Sequence, residues 1–180
     1  MKLSEFNGLK AELIYRGYGE EIEWQENLRH CNNSFDFRDE TIWVILNSGM
    51  KEQIARMINN RIKEAIAKDI DISLVFGHKG KVAAIKLVRR DCGKLFEEYC
   101  KAENKIEFLQ TIPFIGKITC WHLAKNLGED CVKPDRHLVR IAGIYDLTPA
   151  NLCEKLSNES GLKKCTVDII LWRSANLKLI

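Results

Sequence analysis

The chain has 180 residues, of which 46% are apolar and 29% charged, and its net charge is +3. This length suits one domain or two small lobes, with enough apolar material for a hydrophobic core. No run of roughly 18 uncharged apolar residues is present, so no membrane span is expected, and the first residues lack the apolar run of a secretion signal. We therefore expect a cytoplasmic, nucleoid-associated location.

The seven cysteines are odd in number and form no C-x-x-C pair. This spacing argues against a disulfide framework and against a zinc site. Most of the cysteines lie beside apolar positions of predicted helices, where a reduced cysteine packs as a small hydrophobic residue. We expect no metal site.

The charged side chains are unevenly distributed. Residues 1–40 contain five basic and nine acidic side chains, whereas residues 77–90 contain five lysines or arginines and no acid. A local basic surface of this kind suits a polyanionic partner. A solvated helix face would give the same pattern, so both interpretations stay open.

Apolar residues recur at helical spacing along most of the chain and predict an all-α fold. In residues 41–66 this pattern is interrupted at Asn47-Ser48-Gly49, where the first helix is expected to end. The few strand signals centre on residues 72–76. The basic segment that follows is predicted to precede a separate short helix at residues 95–101.

Residues 106–126 are predicted to form a helix, a compact turn from Pro113 to Gly116, and a second helix that begins at Lys117. Gly116 can adopt a backbone conformation barred to larger residues and lets another backbone approach closely. Unpaired N–H groups at the start of the second helix form a candidate phosphate site. The alternative is an ordinary helix corner in which Gly116 only closes the turn.

Three more helices are predicted after the loop that follows. One begins near Asp135, where the aspartate can cap the helix. The next begins at Thr148-Pro149, an N-cap followed by proline at the first helical position, and breaks near Gly161. The last contains residues 167–172.

Two of these motifs together resemble the helix-hairpin-helix DNA glycosylase superfamily, which includes endonuclease III, adenine mismatch glycosylase and alkylbase glycosylases. The hairpin reads IPFIG at residues 112–116, and DRHLVRI follows at residues 135–141. Weaker matches at residues 43–50 and 167–172 extend the resemblance over most of residues 38–175.

The resemblance implies a two-lobed all-α fold with double-stranded DNA across the mouth of a cleft. Residues 37–134 would form one lobe, and residues 1–36 together with residues 135–180 would form the other. The implied function is that of a monomeric DNA glycosylase of base excision repair. It would hydrolyse the N-glycosidic bond of a flipped damaged or modified base.

Asp135 matches the catalytic aspartate of the family. A carboxylate beside the sugar can stabilise the positive charge that develops there and can orient the attacking water. A purely capping role for Asp135 is the alternative, and the two roles are compatible.

The resemblance also implies residues for DNA contact and for the base pocket. DNA contacts are expected at Pro113, Phe114, Ile115, Gly116, Lys117, Thr119 and His137. The wedge or pocket residues are expected to be Asn47, Ser48, Met50 and Trp121. For Met50 and Trp121, packing in the core is an equal alternative.

The sequence departs from the family at three features. Phe114 stands where the first hairpin glycine is common, and Ile118 stands where members that also cut the backbone carry a lysine. The cysteines that hold an iron–sulfur cluster in some relatives are absent, so we expect no cluster and no other cofactor. The one ion considered is a monovalent cation bound at the hairpin.

Two alternative functions remain: a non-enzymatic DNA-structure binder, and a glycosylase/lyase that uses Lys117.

Overall fold

The computed structural model describes all 180 residues and is all-helical, without a strand. The all-α prediction is therefore confirmed. The helices are α1 (Leu3–Leu13), α2 (Gly19–Asn27), α3 (Ser34–Asn47), α4 (Glu52–Ala67), α5 (Lys79–Lys101), α6 (Lys105–Gln110), α7 (Thr119–Asn126), α8 (Arg136–Gly143), α9 (Pro149–Ser160) and α10 (Lys164–Asn176). A π-helical turn (Ile14–Tyr18) joins α1 to α2, and a 3-10 turn (Ile72–Leu74) lies between α4 and α5. None of the helices combines the length and the apolar composition that a membrane span requires.

The chain divides into two compact units. The terminal unit consists of Met1–His30 and Gly128–Ile180, so both ends of the chain belong to it. The central unit is the continuous segment Cys31–Leu127 and contains α3 to α7.

The terminal unit packs α1, α2, α8 and α9 around α10, and its helix ends follow from the sequence. Thr148 caps α9 by accepting a hydrogen bond from the N–H of Asn151 (3.2 Å), with Pro149 in the first turn. The helix ends at Gly161, which has a left-handed φ of 75°. Both predicted ends of α9 are confirmed. Its core contains Phe6, Leu13, Leu138, Ile141, Leu152, Leu156, Ile170 and Leu171.

The central unit is organised around the contact between α3 and α5. Phe37 of α3 is fully buried, and its ring centroid lies 5.3 Å from that of Tyr99 and 5.9 Å from that of Phe96. Both partners belong to the second half of α5, which is one uninterrupted helix. The separate helix predicted at residues 95–101 is wrong, because the apolar face that packs on α3 continues through this segment.

The weak strand signal at residues 72–76 does not correspond to a strand. The side chain of Asp71 accepts hydrogen bonds from the N–H and the hydroxyl of Ser73, each at 2.8 Å, and starts a 3-10 turn instead. Local capping by an aspartate therefore overrides the β-propensity of the neighbouring apolar residues.

A hydrogen bond between side chains ties α7, the second helix of the hairpin, to α3. The amide of Asn126 donates to the carboxylate of Glu40 at 2.9 Å. Burial raises the pKa of Glu40 above its usual value of 4.5, and the hydrogen bond from Asn126 opposes this rise. The folded chain therefore holds this proton more tightly than the unfolded chain.

We expect Glu40→Gln to stabilise the protein at neutral pH. Between pH 4.5 and the raised pKa, stability falls as the pH rises, because only the folded state still binds the proton. Gln removes the buried charge and keeps an oxygen that accepts from Asn126. Thermal unfolding at pH 7 should show a Tm higher by about 2–4 °C, the shift that ~1 kcal/mol produces in a chain of this size.

The stabilisation should disappear below pH 4.5, where Glu40 is protonated in both states. Glu64→Gln, an exposed position on α4, serves as the control and should leave the Tm unchanged at both pH values. A lower Tm for Glu40→Gln at pH 7 would contradict the assignment of Glu40 as a buried carboxylate that costs stability.

Candidate nucleic-acid interface

The hairpin between α6 and α7 is a compact turn of residues 111–118. Ile112 and Ile115 are buried at its base, and the N–H of Ile115 donates to the carbonyl of Ile112 at 3.0 Å. Pro113 is exposed at the tip. The predicted helix, turn and helix are confirmed, but the second helix begins at Thr119 and not at Lys117.

Phe114 adopts the left-handed backbone conformation, with φ of 68°. This conformation costs a residue other than glycine about 1–2 kcal/mol. The ring packs against the first turn of α5. A Cβ added to Gly80 would lie 2.8 Å from Cζ of Phe114, and the ring of His78 stands edge-on at 5.8 Å. Phe114 thus occupies a glycine-type conformation and is held there by packing.

Gly116 can adopt a conformation barred to larger residues, but it has no left-handed φ and does not use that freedom here. The nearest atom to an added Cβ would be Oγ1 of Thr119, at 3.9 Å. The exposed space over Gly116 is therefore open to a second backbone.

Part of the expected phosphate site is occupied within the protein. The N–H of Gly116 donates to Oγ1 of Thr119 at 2.7 Å, so this group is not available to a phosphate. The N–H groups of Lys117 and Ile118 make no hydrogen bond within the chain. These two groups, just ahead of α7, can therefore bind an anion.

The predicted wedge residues lie in a tight turn at the end of α3. The N–H of Ser48 donates to the carbonyl of Val44 (3.1 Å), and the N–H of Met50 donates to that of Asn47 (3.2 Å). Gly49, at the tip, is exposed and has a φ of 68°. Asn47, Ser48 and Met50 are half-buried.

Lys81 connects this turn to α5, a role that was not predicted from the sequence. Its ammonium donates to the carbonyls of Leu46 (2.9 Å) and Ser48 (2.6 Å), and the residue is only 5% exposed. Lys81 falls on the buried stripe of α5 with Ala84, Ile85 and Val88. That helical spacing is the signal that could have distinguished it from the exposed lysines nearby.

The hairpin turn (residues 111–118) and the turn at the end of α3 (residues 47–50, named the wedge turn) thus both contact the start of α5 within the central unit. The first turn of α5 contacts the wedge turn through Lys81 and the hairpin through Gly80 and His78. We call this region the basic end; it comprises residues 47–51, 78–81 and 111–118.

Several exposed basic residues of the central unit have no acidic partner, and three of them lie at the basic end. Further along α5, Lys86 pairs with Asp71 (2.8 Å), Arg89 with Asp69 (3.2 Å) and Arg90 with Asp91 (2.7 Å). At the basic end, by contrast, three exposed lysines have no acidic partner. They are Lys51, Lys79 and Lys117.

Asp135 lies in the terminal unit, where it caps α8. Its Oδ1 accepts from the N–H groups of His137 (2.9 Å) and Leu138 (3.2 Å), which confirms the predicted capping role. Oδ2 lies 3.8 Å from Nζ of Lys133, and the side chain is 12% exposed. Lys133 is held in turn by its own N–H, which donates to buried Asp168 at 2.6 Å.

His137, Trp121 and Arg140 are the other residues that the sequence singles out. His137 and Trp121 are both half-buried, and each lies one or two residues inside its helix. Arg140 of the second motif donates to the carbonyl of Ile180 at 3.0 Å, a contact within the terminal unit. No group of three or more histidine, cysteine or acidic side chains is arranged to hold a metal ion, and none of the seven cysteines forms a disulfide.

Comparisons with protein-family models, with curated proteins and with solved structures return no match to this chain.

Because Phe114 is left-handed, we expect replacement by glycine to destabilise the protein less than replacement by alanine. Phe114→Gly and Phe114→Ala both lose the ring packing, but only glycine also removes the backbone strain. We expect Phe114→Gly to unfold about 2–4 °C above Phe114→Ala, which corresponds to ~1 kcal/mol. Both variants should unfold below the wild type in a thermal melt.

Gly116→Ala is the matched control in the same turn, since Gly116 has neither a left-handed φ nor a close neighbour. Its Tm should equal that of the wild type. If Phe114→Ala were as stable as Phe114→Gly, residue 114 would not be left-handed in solution.

Proposed function

We propose that the chain is a DNA glycosylase of base excision repair, which binds duplex DNA and hydrolyses the N-glycosidic bond of a flipped damaged or modified base. The observation that carries the proposal is the basic end, where a hairpin turn, a wedge turn and three unpaired lysines share one region. The proposal includes the two-lobed helix-hairpin-helix glycosylase fold, a monomeric state and a nucleoid-associated location.

The hairpin supplies contacts that suit a phosphate backbone. The N–H groups of Lys117 and Ile118 are unpaired, and the space over Gly116 is open. Backbone N–H groups at a helix start bind phosphate without reading the base sequence, and they fix the register of the duplex. A monovalent cation at the hairpin, bound to backbone carbonyls, remains part of this proposal.

The lysines of the basic end should determine how DNA binding depends on salt. Each lysine that meets a phosphate releases about one counterion, so its loss should reduce the slope of log K against log salt by about 1. We expect this reduction for Lys51→Met, Lys79→Met and Lys117→Met, measured by fluorescence anisotropy with an undamaged duplex at several salt concentrations.

Lys86→Met is the control, because Lys86 is exposed on the same helix but pairs with Asp71 at 2.8 Å. Its salt slope should match that of the wild type. Equal slopes for all four variants and the wild type would exclude the basic end as the DNA-binding surface.

The wedge turn provides the second requirement of a glycosylase, a group that fills the space left by the flipped base. Asn47, Ser48 and Met50 are the candidates, with Trp121 as a further pocket residue. Two internal hydrogen bonds and the left-handed Gly49 give this turn a defined shape. A preformed turn loses little conformational entropy when it inserts into the duplex.

Asp135 is the catalytic carboxylate of the proposed reaction. Loss of the base leaves positive charge on the sugar, and a fixed carboxylate can stabilise that charge and direct water to it. Oδ1 is held by two N–H groups at the start of α8, which fixes the orientation of the carboxylate. Ile118, at the position of the family's lyase lysine, has no amine, so the proposed reaction is hydrolysis without strand cleavage.

Asp135→Asn separates catalysis from capping. Asparagine caps helices about as well as aspartate, so the fold and DNA binding should be retained. Excision should nevertheless fall at least ~100-fold, the scale of losing a positioned acid–base group. The measurement uses duplexes that each carry one lesion (oxidised guanine, alkylated purine, deaminated or mismatched pyrimidine, or a hypermodified base), scored for alkali-labile sites.

Thr148→Ala is the control for loss of a helix cap in the same unit. It should cost about 1 kcal/mol of stability and leave excision intact. Unchanged excision by Asp135→Asn would reject its catalytic role, and DNA binding without base release from any lesion would favour a non-enzymatic binder. Borohydride trapping that is lost in Lys117→Ala would instead indicate a glycosylase/lyase.

A further inference from the structure

Lys81 is a buried cation without an acidic partner in the central unit. It is 5% exposed, and the contacts of its ammonium are the carbonyls of Leu46 and Ser48, at 2.9 and 2.6 Å. Burial lowers the pKa of Lys81, because the charged form is less well solvated inside the protein. Its position in the first turn of α5 is also unfavourable for a cation, since this is the positive end of the helix dipole.

The two carbonyls that Lys81 contacts belong to the end of α3, where the last carbonyls have no partner within the helix. Ser48 and Met50 satisfy the carbonyls of Val44 and Asn47 with their N–H groups. Lys81 satisfies those of Leu46 and Ser48, at the negative end of the helix dipole. The wedge turn is therefore held by its own hydrogen bonds and by one amine from another helix.

We propose that Lys81 is the positioning residue of the wedge turn: its amine fixes the backbone of residues 46–48 so that the turn enters the DNA preformed. This inference rests on the proposed function, because it assigns a purpose to the turn only if the turn inserts into a duplex. Lys81 touches neither base nor sugar in this role. It acts through the two carbonyls.

Removal of the Lys81 amine leaves the carbonyls of Leu46 and Ser48 without this donor. The carbonyl of Leu46 is buried and can regain a hydrogen-bond partner only if the turn rearranges. A mobile turn must then be ordered during insertion, which costs free energy at that step. Contacts between the hairpin and phosphate do not require this ordering. Loss of Lys81 should therefore impair insertion more than it impairs DNA binding.

The first measurement is amide hydrogen exchange of the 180-residue chain in the absence of DNA. The amides of Ser48 and Met50 are hydrogen-bonded in the wild type and are therefore protected. In Lys81→Met they should exchange about 10-fold faster, which is the effect of a ~1.4 kcal/mol smaller opening free energy. The Leu152 amide, in the terminal unit, should be unaffected, and the control Lys86→Met should leave the exchange of the Ser48 and Met50 amides unchanged.

The second measurement reports insertion without needing the natural lesion. The probe is a duplex with a tetrahydrofuran abasic analogue and 2-aminopurine on its 3′ side, whose fluorescence rises when the neighbouring stack is opened. At saturating protein, Lys81→Met should give less than about half of the wild-type rise, while its affinity for the same duplex changes by no more than about 3-fold. Lys86→Met should match the wild type in both.

The conservative variant Lys81→Arg, whose guanidinium can donate to both carbonyls, should restore slow exchange and most of the fluorescence rise. If Lys81→Met fails to fold, Lys81→Gln, which is polar but shorter, takes its place. In a double-mutant cycle with Asn47→Ala, the two effects on the fluorescence rise should be less than additive, since both act through the same turn.

Unchanged exchange at Ser48 and Met50 would overturn the inference, and so would faster exchange with a normal fluorescence rise. If the wild type itself gave no rise in 2-aminopurine fluorescence, insertion into DNA, and with it the proposed function, would be rejected. The hydrogen-exchange data would still show whether Lys81 holds the turn. The two failures are therefore distinguishable.

Discussion

The wedge turn depends on the two hydrogen bonds from buried Lys81. α3 ends at Asn47, and a helix end leaves carbonyls that must find donors if they are buried. At this end one donor comes from α5, some 35 residues along the chain. The same first turn of α5 contacts the hairpin through Gly80, so one short segment positions both parts of the basic end.

In the hairpin turn, the residue with the left-handed conformation is Phe114, where a glycine would be expected, and the glycine of the turn, Gly116, has an ordinary conformation. The ring of Phe114 offsets its strain by packing on Gly80, which has no side chain to obstruct it. The glycine that matters for the shape of this hairpin is therefore Gly80, more than 30 residues before the turn.

Much of the helical framework could be predicted, because helix ends carry local signals. Thr148-Pro149, Gly161 and Asp135 each mark an end through their own side chain or φ, and the structure confirms all three. The continuity of α5 and the 3-10 turn after Asp71 were missed, since both depend on what the neighbouring segments pack against or cap. The burial of Lys81 was missed for a related reason: composition marks residues 77–90 as basic, but only tertiary packing decides which cations face inward.

The capping role of Asp135 constrains the chemistry that can be proposed for it. Oδ1 already accepts two N–H groups, so Oδ2 is the oxygen left to face a sugar or a water molecule. Lys133 lies 3.8 Å from that oxygen and competes for it, but at this distance the pair is loose and can open without breaking the cap. A carboxylate anchored on one oxygen keeps its orientation while the other reacts, which is the preorganisation that electrostatic catalysis requires. In the proposed reaction, capping and catalysis are therefore two uses of one fixed side chain, and each oxygen serves one of them.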